Sequence, residues 1–170
     1  MRIFYHINLT QHNPDSDIVS FAFVDDRGHS LYAELVDHKT LTSSVLASKQ
    51  LVGKKGFKTI TENVAHSVCV QGGISMLRDR LGSFMSQYSK GSVTLIGRSN
   101  YWEMQALLWL LRWEGIDNQI GIIHISKNIY EEYWNELHRE VLTFLPETNA
   151  LRKSKTYKHI ARKIERQSTK

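Results

Sequence analysis

Three runs of β-branched and aromatic residues crowd the first 36 positions of the chain, and they constrain its fold more than any other feature. They are Arg2-Ile3-Phe4-Tyr5-His6-Ile7-Asn8-Leu9, Ile18 to Val24, and Leu31 to Val36. A polar loop from Thr10 to Asp17 separates the first two, and Asp25-Asp26-Arg27-Gly28 separates the last two. Runs of this kind bounded by short turn sequences predict an antiparallel meander, with the first strand inside the sheet. Along that strand Ile3, Tyr5, Ile7 and Leu9 share one face, and Phe4, His6 and Asn8 share the other. A strand apolar on both faces is normally buried. His6 and Asn8, two residues apart on one face, therefore mark a place where something polar is met.

The remaining chain mixes helices with further strands. A helix is predicted at Leu41 to Leu51, a basic glycine-containing break at Gly53 to Lys58, and a short element reaching Val70. The Lys54-Lys55-Gly56-Phe57-Lys58 cluster reads as a solvated loop. After Gly72-Gly73, the spacing of Ile74, Leu77, Leu81 and Phe84 predicts a helix over Ile74 to Tyr88. Val93 to Gly97 and Ile120 to Ile125 read as strands. Asn100 to Trp113 reads as a helix with little polar face, expected to be central and buried. A helix from Ile129 to Leu145 and, after Pro146, a last helix from about Asn149 to Arg166 complete the order β-β-β-α-α-β-α-β-α-α. That order suits one α/β domain spanning residues 1–170.

With 170 residues and 41% hydrophobic content, the chain can bury a core of its own. No apolar run approaches the ~18 residues of a membrane span, and no basic-then-apolar start suggests a signal peptide. The expectation is a cytoplasmic protein with no membrane partner. Cys69, flanked by Val68 and Val70, reads as a buried structural thiol. The charge is uneven: from Arg152 to Lys170 there are eight Lys or Arg and one Glu, giving +7, so the rest carries −2. A basic tail of this kind points to a polyanionic partner, with a solvated terminal helix as the plainer alternative.

Three separated stretches resemble, in order, the motifs of the DEDD-type 3'-5' exonucleases, a family with a ribonuclease H-like fold. The first is Phe4 to Leu9 with its meander, where the family carries Asp-x-Glu and this chain has His6 and Asn8. The second is Ser99-Asn100-Tyr101-Trp102-Glu103, similar to a small-x-aromatic-Asp segment opening a helix, with Glu103 at the metal-binding position. The third is Thr148-Asn149-Ala150-Leu151-Arg152-Lys153, similar to His-x-Ala-x-x-Asp, with Thr148 at the general base and Lys153 at a metal ligand. Residues 37 to 91 carry no part of the resemblance. It implies an α/β fold with a mixed sheet, an antiparallel N-terminal meander and flanking helices, in a degenerate family member.

Two divalent cations about 4 Å apart need several carboxylates to neutralise them. At the matched positions only Glu103 is anionic, and Lys153 brings a cation. Neutral imidazole and amide are poor magnesium ligands, and Thr148 cannot act as a base near pH 7. The residues thus predict no catalytic residues, no metal site and no cofactor. Glu103 also has a plainer role, since Asn100 and Glu103 form a capping-box-like pair, and Thr148 stands where the last helix needs an N-cap. On that helix, Lys155, Lys158, Arg162 and Arg166 are the candidate nucleic-acid contacts, with Tyr157, Ile160, Ala161 and Ile164 facing the protein.

The expected function is a catalytically inactive exonuclease-like protein binding nucleic acid or a partner from nucleic-acid metabolism. Two alternatives stand beside it. One is an active exonuclease using Mg or Mn with carboxylates from elsewhere, such as Asp15, Asp17 or Glu34. The other is a protein-binding inhibitor or adaptor.

Overall fold

The computed structural model describes residues 1–11, 13–35, 51–88, 91–98, 100–146 except 114–119, and 149–169. The meander forms from β1 (Arg2–Leu9), β2 (Ile18–Asp25) and β3 (Ser30–Leu35), paired antiparallel in sequence. The β2–β3 turn closes through Gly28, whose φ of +106° suits a residue without a Cβ. There follow α1 (Gly53–Asn63), β4 (Ser67–Gly72), α2 (Ile74–Ser86), β5 (Val93–Arg98), α3 (Tyr101–Trp113), β6 (Ile120–Ile125), α4 (Lys127–Leu137) and α5 (Ala150–Ser168). The strands make one six-stranded sheet in the order β4-β3-β2-β1-β5-β6. β4 runs parallel to β3, β5 parallel to β1, and β6 parallel to β5. The architecture is α/β, a mixed sheet with flanking helices, consistent with a ribonuclease H-like fold.

Alternation along β1 sorts the two sides of the sheet. Ile3, Tyr5, Ile7 and Leu9 join Phe21, Phe23 and Leu95 in a core closed by Leu77, Leu81 and Phe84 of α2 and Leu107, Leu110 and Leu111 of α3. On the other side Ala22, Val24 and Tyr32 meet Ile60 of α1 and Leu151 of α5. Phe4, Ile96 and Ile125 meet Tyr130 of α4 and Tyr157 and Ile160 of α5 on that same side. Both faces are covered, so the polar pair on β1 lies beneath a helix.

The structure departs from the sequence expectations at four elements. Ser67–Gly72 is a strand, which adds a sixth member to the sheet; Val70 pairs with Ala33 and Cys69 with Tyr32. The stretch read as a basic break, Gly53 to Lys58, is the first half of α1, because Phe57, Ile60 and Val64 at helical spacing pack on Tyr32 and its neighbours. Helix α4 ends at Leu137 rather than Leu145. The chain then turns, with Leu142 at φ +45°, and the buried Arg152 guanidinium donates to the carbonyls of His138 (2.7 Å) and Leu145 (2.6 Å). Helix α3 is not wholly buried: Tyr101 is 60% and Trp109 48% exposed, and the Arg78 guanidinium lies 3.5 Å above the Trp109 ring. The predicted helix at Leu41 to Leu51 falls, but for its last residue, outside the described residues. Cys69 is half-buried, and burial pushes its thiol up to about 11, so it is not a ready nucleophile.

Candidate functional site

The site lies where β1 and β5, running parallel, release their C-terminal ends. Phe4 pairs with Ile96, and two residues further on come His6 and Arg98. Helix α3 begins three residues after β5 ends, so Glu103 falls in its first turn, near the end of β1. Asn100 accepts from the Trp102 amide through Oδ1 (3.1 Å) and donates through Nδ2 to Glu103 Oε1 (3.2 Å). This capping pair turns the Glu103 carboxylate inward. Helix α5 crosses the same side of the sheet and brings Lys153 and Tyr157.

His6, Asn8, Glu103 and Lys153 thus meet in one cleft of about 130 Å³, which Arg98 and Tyr130 also line. Lys153 Nζ is 3.1 Å from His6 Nε2. Asn8 Oδ1, which only accepts, lies 3.0 Å from the same Nε2, so that nitrogen either donates to Asn8 or accepts from Lys153. On the other side of the ring, Nδ1 faces Glu103 Oε2 at 3.1 Å, with the Tyr157 hydroxyl also 3.1 Å away. The Asn8 amide bridges His6 Nε2 and Ser20 Oγ, each at 3.0 Å. His6, Asn8, Glu103 and Tyr157 are all buried.

Burial sets the protonation of the two basic groups. It lowers the His6 pKa, and Lys153 lowers it further, against the pull of Glu103 in the other direction. The imidazole is therefore neutral at pH 7. Burial likewise lowers the Lys153 pKa, opposed by Glu103 and reinforced by Arg98. The cleft holds one guanidinium, one carboxylate and the Lys153 amine, which adds a second positive charge when it keeps its proton.

This donor set does not fit a pair of divalent cations. It offers one carboxylate, one neutral imidazole already in contact with Lys153, Asn8 and Glu103, one amide and one amine. Among the described residues no group of three or more His, Cys, Asp or Glu side chains could hold a metal ion. Nor do the alternative carboxylates reach the cleft. Glu34 stands two strands from β1, so about 10 Å away across the sheet, and its Oε1 accepts from the Tyr32 hydroxyl (2.6 Å) and the Val52 amide (2.5 Å). Asp17 lines a separate, larger cavity with Tyr101, Trp102 and Trp109, and Asp15 lies on the exposed loop.

The chain matches no protein-family model and no curated protein. Its reading therefore rests on these residues and the fold.

Thr148 lies outside the described residues. The N-cap of α5 is its neighbour Asn149, whose Oδ1 accepts from the amides of Leu151 (2.9 Å) and Arg152 (3.3 Å). The basic face of α5 also needs correction. Lys158 is buried and its amine donates to the Asp25 carbonyl at 2.8 Å; burial, with Arg162 beside it, pulls its pKa down to about 8. Arg162 donates to the Asp26 carbonyl (2.7 Å) yet stays exposed, Lys155 is half-buried, and Arg166 is exposed. Lys163 pairs with Glu136, and Glu165 pairs with Arg2. Three of the four expected phosphate contacts are thus available, and Lys158 instead pins the β2–β3 turn to the helix.

Sequence reasoning missed Arg98 and Tyr130, and it assigned Tyr157 to the core alone. A charged residue ending an apolar strand beside the His6 strand was the only signal for Arg98.

Proposed function

We propose that this chain is a cytoplasmic, exonuclease-like protein without nuclease activity, which binds nucleic acid or a protein of nucleic-acid metabolism. One observation carries the reading: the Lys153 amine, 3.1 Å from His6 Nε2, stands in the cleft where the resemblance expects a carboxylate-bound cation. An ammonium there repels a divalent ion and satisfies Glu103 without one. The position that the resemblance gives to the general base is Thr148, a hydroxyl that takes no proton from water near pH 7.

Support for nucleic acid as the partner comes from charge. Lys155, Arg162 and Arg166 lie along one exposed to half-buried stripe of α5, in a segment whose net charge of +7 exceeds that of the whole chain, +5. The test is a pair of measurements on one preparation: 3' trimming of single-stranded DNA and RNA over a magnesium and manganese titration, and a gel shift across salt concentrations. Salt-dependent binding with no trimming is the expected result. Binding to a protein with no affinity for either nucleic acid would favour the adaptor reading instead.

A further inference from the structure

Arg98 is the least explained residue of the cleft. Its guanidinium lies 4.7 Å above the Tyr130 ring, and among the described residues no carboxylate pairs with it. Stacking occupies the flat face of a guanidinium and leaves the N–H edge able to meet an oxyanion. Lys153 enters the same cleft from α5, and the Arg98 charge acts against the Lys153 proton. The single carboxylate does not fill the space between them, because both Glu103 oxygens are turned to partners, Oε2 to His6 Nδ1 and Oε1 to Asn100 Nδ2. A partly enclosed cleft with a net charge of one positive and further donors on Asn100 and Tyr130 is incomplete without an anion.

We infer that this cleft binds a phosphate group directly on Arg98 and Lys153, with no metal ion between protein and ligand. The volume of about 130 Å³ suits one tetrahedral oxyanion with a few waters, and excludes a whole nucleoside. The remainder of any nucleotide must lie outside, toward the larger cavity that shares Leu9 as a lining residue. Burial weakens the hold of Lys153 on its proton, and an arriving anion restores it. The inference deepens the proposed function and rests on it only for the source of the phosphate, a nucleic-acid end rather than a free ion.

Calorimetric titration of the full chain in EDTA tests it, with inorganic phosphate, a nucleoside 5'-monophosphate, and a single-stranded oligonucleotide with and without a 3'-phosphate. Saturable phosphate binding in EDTA, unchanged by added magnesium, is expected. Lys153→Met and Arg98→Gln should each weaken it about tenfold, while Arg80→Gln, exposed on α2 across the sheet, leaves it intact. If Lys153→Met fails to fold, Arg98→Gln still decides, since Arg98 is half-buried and bonded to nothing else described. Phosphate binding without oligonucleotide binding upholds the cleft and overturns the nucleic-acid reading. Oligonucleotide binding that ignores both cleft variants overturns the cleft and leaves that reading standing. Binding that requires magnesium, or no anion binding at all, overturns the inference.

Discussion

Lys153 and Glu103 hold the account together at the scale of single residues. Glu103 is the only described carboxylate in the cleft, and without its charge the half-buried Lys153 is left beside Arg98. Glu103→Gln keeps the shape and the Asn100 contact, so its effect reports the charge alone. It should reduce stability by about 1–3 kcal/mol in urea unfolding; an unchanged midpoint would mean that Lys153 does not depend on Glu103. His6 adds a pH dependence whose sign follows from its lowered pKa. Below its ordinary value of 6.5, the unfolded chain binds more protons at this site than the folded one. The contribution of His6 is therefore complete above about pH 6.5 and is lost as pH falls through its folded-state value, by at most ~1.4 kcal/mol per pH unit. His6→Gln should make the stability curve shallower below pH 6.5 than in the parent, and an equal slope would show that His6 is not buried neutral. The parity of His6 and Asn8 was legible in the sequence because a strand fixes which residues share a face. Arg98 was not, because a charged residue ending a strand looks the same whether it meets solvent or a cleft.

Element by element, two packing relations decide whether the cleft is assembled. Strand β5 carries Arg98, and its Gly97 backs directly onto the Tyr5 ring, where an added Cβ would come within 2.6 Å of the ring carbons. Both partners are held in the sheet, so Gly97→Ala should reduce stability by about 1–3 kcal/mol and shift β5, as thermal unfolding would register. Helix α5 is anchored by Arg152, which serves two carbonyls of the preceding turn. Arg152→Ala leaves both without that donor and should cost about 2–4 kcal/mol, whereas Arg166→Ala on the exposed side should stay within ~0.5 kcal/mol. Equal effects from the two would contradict the division of α5 into an anchoring and an exposed face. That division was only partly legible: helical spacing sets which residues turn inward, but a long Lys or Arg can snorkel to a backbone carbonyl, as Lys158 and Arg152 do. If Lys155, Arg162 and Arg166 contact phosphates together, log affinity should fall against log salt with a slope of about −2 to −3. Neutralising the three should flatten that slope.

Taken as a whole molecule, the chain places a polar cleft at the point where β1 separates an antiparallel neighbour from a parallel one. Such a point in an α/β sheet is where strand ends diverge and open space for a ligand. The meander, β5 and β6 were readable from hydrophobic runs alone. β4 was not, since a six-residue edge strand with no fully buried residue has too few apolar positions to separate it from a loop. The central proposal is that this cleft, with Arg98, Lys153 and a single described carboxylate, supports no metal-dependent nuclease activity. The most direct measurement is 3' trimming of a labelled single strand by the purified chain over a magnesium and manganese titration, beside Glu103→Gln. The account predicts no trimming by either protein at any metal concentration; metal-dependent trimming by the parent chain that Glu103→Gln abolishes would contradict it.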